Sequence, residues 1–178
     1  RIRSNLRELS LDLSSLDSVE EAVETLQTAG VGVDVLVLNA AVIPVELERT
    51  REGFELGFGV NYVGHYVFTE RLIDSGVLRE GGRVLVVSSE MHKMASPLGA
   101  EAPVDVVAPF DMVASLAGYG HSKLCLTTYG AFLAERERGR RYVALYDPGP
   151  VYTSIGRNAP AWLRPVVDAI MYLTFKSS

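Results

Sequence analysis

Val33-Asp34-Val35-Leu36-Val37-Leu38-Asn39-Ala40-Ala41 decides the fold of this chain. Five of its first six residues are apolar, and only Asp34 interrupts them. So continuous a run, halted by small and polar residues, reads as a strand buried in a parallel sheet. Working outward, Val84 to Val87 reads as a second buried strand, introduced by a turn at Gly81-Gly82. Tyr142 to Tyr146 reads as a third, stopped by Pro148-Gly149-Pro150. On the N-terminal side, Glu-Leu-Ser-Leu-Asp-Leu over Glu8 to Leu13 alternates as a short strand does.

Helical patterns separate these runs. Ser18-x-x-Glu21 has the form of a capping box, with Val19, Ala22, Val23 and Leu26 on one face and Gly30 closing the helix. Glu52 to Asp74 carries a helical pattern despite Gly53, Gly57, Gly59 and Gly64, which implies close packing or a break. Gly99 to Gly118 reads as a long loop, and a helix follows to about Arg138 with Ser115 as its N-cap. A last short helix is expected over Trp162 to Phe175. Strands alternating with helices predict an α/β fold, a doubly wound parallel sheet covered on both faces, within one domain over 1–178.

Composition narrows the partners. The chain has 178 residues, 48% of them hydrophobic, and a net charge of −5, which suits a globular domain and disfavours nucleic acid. Arg136, Arg138, Arg140 and Arg141 are interleaved with Glu135 and Glu137, the pattern of a solvated helix end. The lone Cys125 excludes an internal disulfide and permits a reducing compartment, so an intracellular location is expected. No run approaches the roughly 20 apolar residues of a membrane span. His65, His92 and His121 match no zinc spacing and read as packing or surface residues, so no metal is expected. Both ends read as cut, which leaves room for a membrane-associated parent whose N-terminus precedes Arg1.

In parallel sheets a ligand binds beyond the carboxyl ends of the strands. Here those ends deliver Asp12-Leu13, Asn39-Ala40-Ala41, Ser88-Ser89 and Asp147-Pro148-Gly149-Pro150. Tyr119-Gly120-His121-Ser122-Lys123 adds a phenol and an ammonium one helical turn apart. A tyrosine titrates near ~10, and an adjacent cation favours its phenolate, so the pair suits proton exchange with an alcohol or carbonyl.

Taken in order, Asp12-Leu13, Leu38-Asn39-Ala40-Ala41, Asn61-Tyr62-Val63-Gly64-His65, Val87-Ser88-Ser89, Tyr119-x-x-x-Lys123 and Pro148-Gly149 resemble a classical-type short-chain dehydrogenase/reductase. Asn-Tyr-Val-Gly-His-Tyr and Tyr-Gly-His-Ser-Lys-Leu are most similar to the retinol dehydrogenase-like branch. The resemblance implies a three-layer Rossmann-like fold and NADP as cofactor, with NAD as the other choice. It implies a small hydrophobic alcohol or carbonyl substrate and leaves homo-oligomerisation open. It makes Tyr119 the general acid or base, Lys123 the residue that lowers its pKa and binds the nicotinamide ribose, and Ser89 the hydroxyl that polarises the substrate oxygen. Ser88 becomes structural. Asn61 sits at a helix distortion and supports a water relay to Lys123. For the cofactor it implies Asp12 and Leu13 near adenine, Asn39 and Ala40 near the adenosine ribose, and Pro148, Gly149, Val151 and Thr153 near the nicotinamide carboxamide.

Two departures stand out. Ala41 takes the place of the family's glycine, adding a methyl group where backbone approaches ligand. More seriously, dinucleotide sites need a glycine-rich turn between the first strand and first helix. No glycine lies between Leu13 and the first helical pattern, so the resemblance begins at the family's third strand and the sheet is expected to be incomplete at its N-terminus. The alternatives are a fragment of an oxidoreductase or a non-catalytic remnant that acts by binding. Within the enzymes, a protochlorophyllide reductase-like protein is the second choice.

Overall fold

Three strands, β1 (Val33–Leu38), β2 (Leu78–Val87) and β3 (Tyr142–Tyr146), form a parallel sheet in the order β1-β2-β3. This computed structural model describes residues 6–95 and 111–149. The helix expected over Trp162 to Phe175, together with Val151 and Thr153, lies outside the described residues. Val33 to Leu38 and Tyr142 to Tyr146 are strands over the lengths their apolar runs predict. β2 is longer than predicted, because Gly81-Gly82 lies within it. Gly81 takes φ +77° and the register slips between Val33 and Val35, so the glycines form an irregularity in the strand instead of a turn before it.

Four α-helical segments accompany the sheet: α1 (Leu16–Thr28), α2 (Leu56–Phe58), α3 (His65–Asp74) and α4 (Met112–Arg136). Strand residues alternate in direction, which sends Leu36, Leu38, Val84 and Val86 to one face. There they join Val19, Ala22 and Val23 of α1, Phe68 and Leu72 of α3, and Leu126, Tyr129 and Leu133 of α4 in one core cluster. Burying each such side chain contributes about 1.5–3 kcal/mol. Val35, Val37, Tyr142 and Tyr146 point to the opposite face and are half or more exposed. Among the described residues, therefore, one helical layer and the sheet of the expected three layers are present.

Glu8 to Leu13 is not a strand. Alternation alone cannot make one: backbone groups need a neighbouring strand to pair with, and no described segment lies alongside. Leu13 is nonetheless in the core. Helix α1 starts at Leu16 with Ser15 as N-cap, its hydroxyl accepting from the Ser18 N–H at 3.4 Å. Ser18 is not the cap; its hydroxyl accepts from the Asp12 N–H at 3.0 Å, tying the preceding segment down. Similarly, α4 is capped by Asp111, which accepts from the Ala114 N–H at 2.8 Å, so 112–118 are helical and not loop. Ser115 lies within the helix, buried, and donates to the Pro44 carbonyl.

The arginine cluster is only partly solvated. Glu137 is 2% exposed, and Arg141 bonds its carboxylate at 2.6 Å while Arg136 does so at 3.2 Å. Arg141 also donates to the Leu78 carbonyl at 2.8 Å, fastening the end of α4 to the start of β2. Arg138 remains exposed.

Between α2 and α3 the chain forms a π-helical stretch, Gly59–Gly64. The glycines there reflect contact. A Cβ on Gly64 would lie 2.4 Å from the Leu13 carbonyl oxygen, a backbone atom with little room to move. Gly64→Ala should therefore lower stability by about 1–3 kcal/mol, read as a lower urea midpoint at unchanged m. An unshifted midpoint would show that the contact is not tight.

Candidate active site

The carboxyl ends of β1, β2 and β3 open on the same side as the N-terminal half of α4. Tyr119 and Lys123 lie one turn apart on that helix, and the Lys123 Nζ is 5.8 Å from the centroid of the Tyr119 ring. Lys123 is 2% exposed and donates to the Val87 carbonyl at 2.9 Å, reaching from the helix to the last residue of β2. Burial pulls its pKa down to about 8, opposed by the Asp147 carboxylate.

Ser89 caps a 3-10 turn, Glu90–Met94, and its hydroxyl accepts from the Met91 N–H at 3.3 Å. This turn lies against α4 so closely that a Cβ on Gly120 would be 2.7 Å from the Met91 carbonyl oxygen. The glycine between Tyr119 and His121 thus lets the serine turn approach the tyrosine. Tyr119 is held above the usual phenol range by burial, while the Ser89 hydroxyl works the other way and Asp147 adds to the rise. This reverses the direction expected from the Tyr-Lys spacing. The lysine reaches a backbone carbonyl instead of the phenol, and desolvation decides. Ser88 turns away to pair with Thr127 at 2.6 Å.

Asn61 stands in the π-helical stretch, matching the expected distortion. It is fully buried. Its Oδ1 accepts from the Val42 N–H at 2.8 Å, while its Nδ2 donates to the Val42 carbonyl at 3.0 Å and to the Ser122 hydroxyl at 3.1 Å. Ser122, in turn, donates to the Tyr119 carbonyl at 2.8 Å. The amide is thus committed to holding the segment after β1 against α4.

His65 is a buried packing residue, as the sequence reading has it. Its Nε2 donates to the Ala40 carbonyl at 2.9 Å, directly behind Asn39-Ala40-Ala41. Asn39 and Ala40 are exposed at the end of β1. Asp12 is exposed as well, with one carboxylate oxygen accepting from the Ser14 N–H at 2.9 Å and hydroxyl at 2.7 Å, which lowers its pKa. Pro148 and Gly149 follow β3, where the Gly149 N–H donates to Asp147 Oδ1 at 2.9 Å. Asp147 Oδ2 is buried without a hydrogen-bond partner.

A Gly-x-x-x-Gly-x-Gly spacing is present at Gly53, Gly57 and Gly59, but it leads into the π-helical stretch. The Gly57 and Phe58 N–H groups there already donate to the Glu55 carboxylate at 2.8 and 2.7 Å. A carboxylate in that position excludes a phosphate. Among the described residues there is also no cluster of three or more metal-ligating side chains, and no helix long and apolar enough to cross a membrane.

A short chain dehydrogenase family profile matches residues 2–101. This chain belongs to the short-chain dehydrogenase family. It is 37% identical over 157 residues to a polyprenol dehydrogenase of Danio rerio, covering 83% of this chain and 46% of that protein. Against retinol dehydrogenase 14 of Mus musculus the identity is 32% over 172 residues, covering 94% and 49%. Among solved structures, the 3-ketoacyl-(acyl-carrier-protein) reductase of Brucella melitensis complexed with NADH superposes with a TM-score of 0.59 at 25% identity, covering 83% of this chain and 57% of that one. The chain spans about half the length of these relatives.

His65 makes the site acid-sensitive. Burial depresses its pKa to about 4, the Ala40 hydrogen bond opposes that, and the Lys123 charge adds to it. A histidine folded near 4 and unfolded near ~6.5 takes up its proton more readily when unfolded. Its contribution is complete above about pH 6.5 and is lost as pH falls toward 4, by up to about 3 kcal/mol. Urea unfolding at pH 7 and pH 4.5 should show this loss in the wild type, and His65→Gln should flatten that part of the profile.

Proposed function

We propose that this chain forms part of an NAD(P)-dependent oxidoreductase that interconverts a hydrophobic alcohol with its aldehyde or ketone. The observation that carries this reading is the convergence at the carboxyl ends of the strands of Tyr119 and Lys123, one helical turn apart on α4, with the Ser89 turn packed against that helix at Gly120 and Lys123 bonded to the Val87 carbonyl. The names of the polyprenol and retinol dehydrogenase relatives support a hydrophobic alcohol as substrate class. NADP is preferred to NAD on the strength of the retinol dehydrogenase-like motifs.

The residues present fit such a cofactor in part. Exposed Asn39 and Ala40 offer a surface for the adenosine half, and the partnerless Asp147 Oδ2 offers an acceptor near Tyr119 and Lys123. The glycine-rich turn that holds a pyrophosphate is not among the residues of this chain. Bound nicotinamide would supply the hydride. Tyr119 and Ser89 supply the rest: two hydroxyls directed at the oxygen on which negative charge develops, one of them able to give up its proton. Tyr119 is a protonated phenol at neutral pH, the form that gives up a proton in carbonyl reduction. Lys123 keeps a positive charge close by, fixed by the Val87 carbonyl.

The test uses the full-length protein that contains this chain. Tyr119→Phe should lower turnover of a retinoid or polyprenyl aldehyde by about 10²–10⁴-fold while leaving NADPH affinity within a few-fold. Full turnover in Tyr119→Phe would refute the proton donor. Failure of the unsubstituted protein to bind either NADPH or NADH would leave the remnant reading.

A further inference from the structure

Val87 ends β2 level with Tyr146, and the Ser88 N–H still donates to the Tyr146 carbonyl at 2.8 Å. Ser89 comes next, so its carbonyl lies past the ladder and needs a donor from elsewhere. One residue supplies two. The His92 backbone N–H reaches the Ser89 carbonyl at 2.9 Å, and the His92 Nδ1 reaches the same oxygen at 2.6 Å. A carbonyl oxygen can only accept, so the imidazole carries a proton on Nδ1. The backbone bond alone would close a 3-10 turn, whose hydrogen-bond geometry is poorer than that of an α-helix. The ring bond closes that turn a second time. Glu90 and Lys93, the other charged residues of the turn, pair with each other at 2.6 Å with more than half of each side chain exposed. The turn also touches α4 at Gly120, where a Cβ would lie 2.7 Å from the Met91 carbonyl oxygen. Any shift of the turn therefore moves Ser89 relative to Tyr119, the residue before Gly120.

We propose that His92 is a positioning residue for Ser89: its Nδ1–H holds the Ser89 carbonyl and so fixes the direction in which the Ser89 hydroxyl meets the substrate oxygen. This rests on the oxidoreductase reading above, in which Ser89 and Tyr119 share that oxygen. The Ser89 hydroxyl accepts from the Met91 N–H at 3.3 Å, which occupies a lone pair and leaves the hydroxyl proton to donate. A donor aimed at developing charge is effective because its direction is set before the reaction begins. A small misplacement of such a group is costly to the rate. His92 acts here through Ser89 and touches neither substrate nor cofactor.

The test uses the full-length protein with NADPH and retinaldehyde. His92→Ala should lower kcat by about tenfold to a hundredfold and leave NADPH affinity within about twofold. An Asn side chain places an amide N–H near the position of Nδ1, so His92→Asn should recover most of that loss. In a Ser89→Ala background, His92→Ala should cost less than about threefold more, because the hydroxyl it directs is gone. Equal losses in the two backgrounds overturn the proposal, since a residue that only packs would give them, and the oxidoreductase reading then stands. Full turnover in His92→Ala overturns it as well. The ring itself offers a check that needs neither turnover nor a folded variant. Nitrogen NMR of the unsubstituted protein at about pH 8 should find the His92 proton on Nδ1, and a proton on Nε2 overturns the assignment. If the unsubstituted protein binds neither NADPH nor NADH, the oxidoreductase reading itself falls, and this proposal with it.

Discussion

One buried side-chain amide ties the site together. Asn61 donates to and accepts from the Val42 backbone and also reaches Ser122 beside Lys123, so three separate segments meet on one residue. A backbone N–H and C=O that follow a strand end have no ladder to pair with, and if buried they need side-chain partners. A primary amide matches both at once and keeps a second N–H for Ser122, which a carboxylate or hydroxyl cannot. The π-helical stretch serves this match. The added residue in the turn re-aims side chains on one face, and such insertions are frequent at functional sites. Gly64 against Leu13 and His65 against Ala40 belong to the same short stretch. The ends of two chain segments, after Leu11 and after β1, are thus set by a few consecutive residues of one helix.

The charge arrangement around Tyr119 depends on this frame. Lys123 is committed to the Val87 carbonyl, so it supplies a fixed positive field and leaves the Tyr119 oxygen free of an ammonium contact. The Asp147 carboxylate acts on the lysine through its charge. The phenol is therefore tuned by burial against one serine hydroxyl, and its acid form is the resting one.

Much of this was legible in the sequence. The apolar runs of β1 and β3 are bounded by polar or turn residues, and their limits follow from that. Ser89, Tyr119 and Lys123 were readable from order and spacing. What was not readable depends on contacts distant in sequence. Ser15 and Ser18 are both good caps three residues apart, and the Asp12 N–H claims the second. Asp111 and Ser115 compete in the same way, and the Pro44 carbonyl claims Ser115. Gly64 and Gly120 look like helix breakers in a linear reading, yet each marks a point where another backbone comes too near for a methyl group. The direction of the Tyr119 shift was lost for the same reason, because the partner of Lys123 is supplied by β2.

The open face of the sheet bears on how this stretch of chain behaves as a material. Val35 and Val37 are 53% and 50% exposed, with Tyr142 and Tyr146 at 66% and 53% on the same side. β1 is also a border of the sheet among the described residues. An uncovered border strand whose outward residues are β-branched is a template on which a second strand can add. Left without a cover, β1 would favour association with a second chain, so colloidal stability depends on what lies against it.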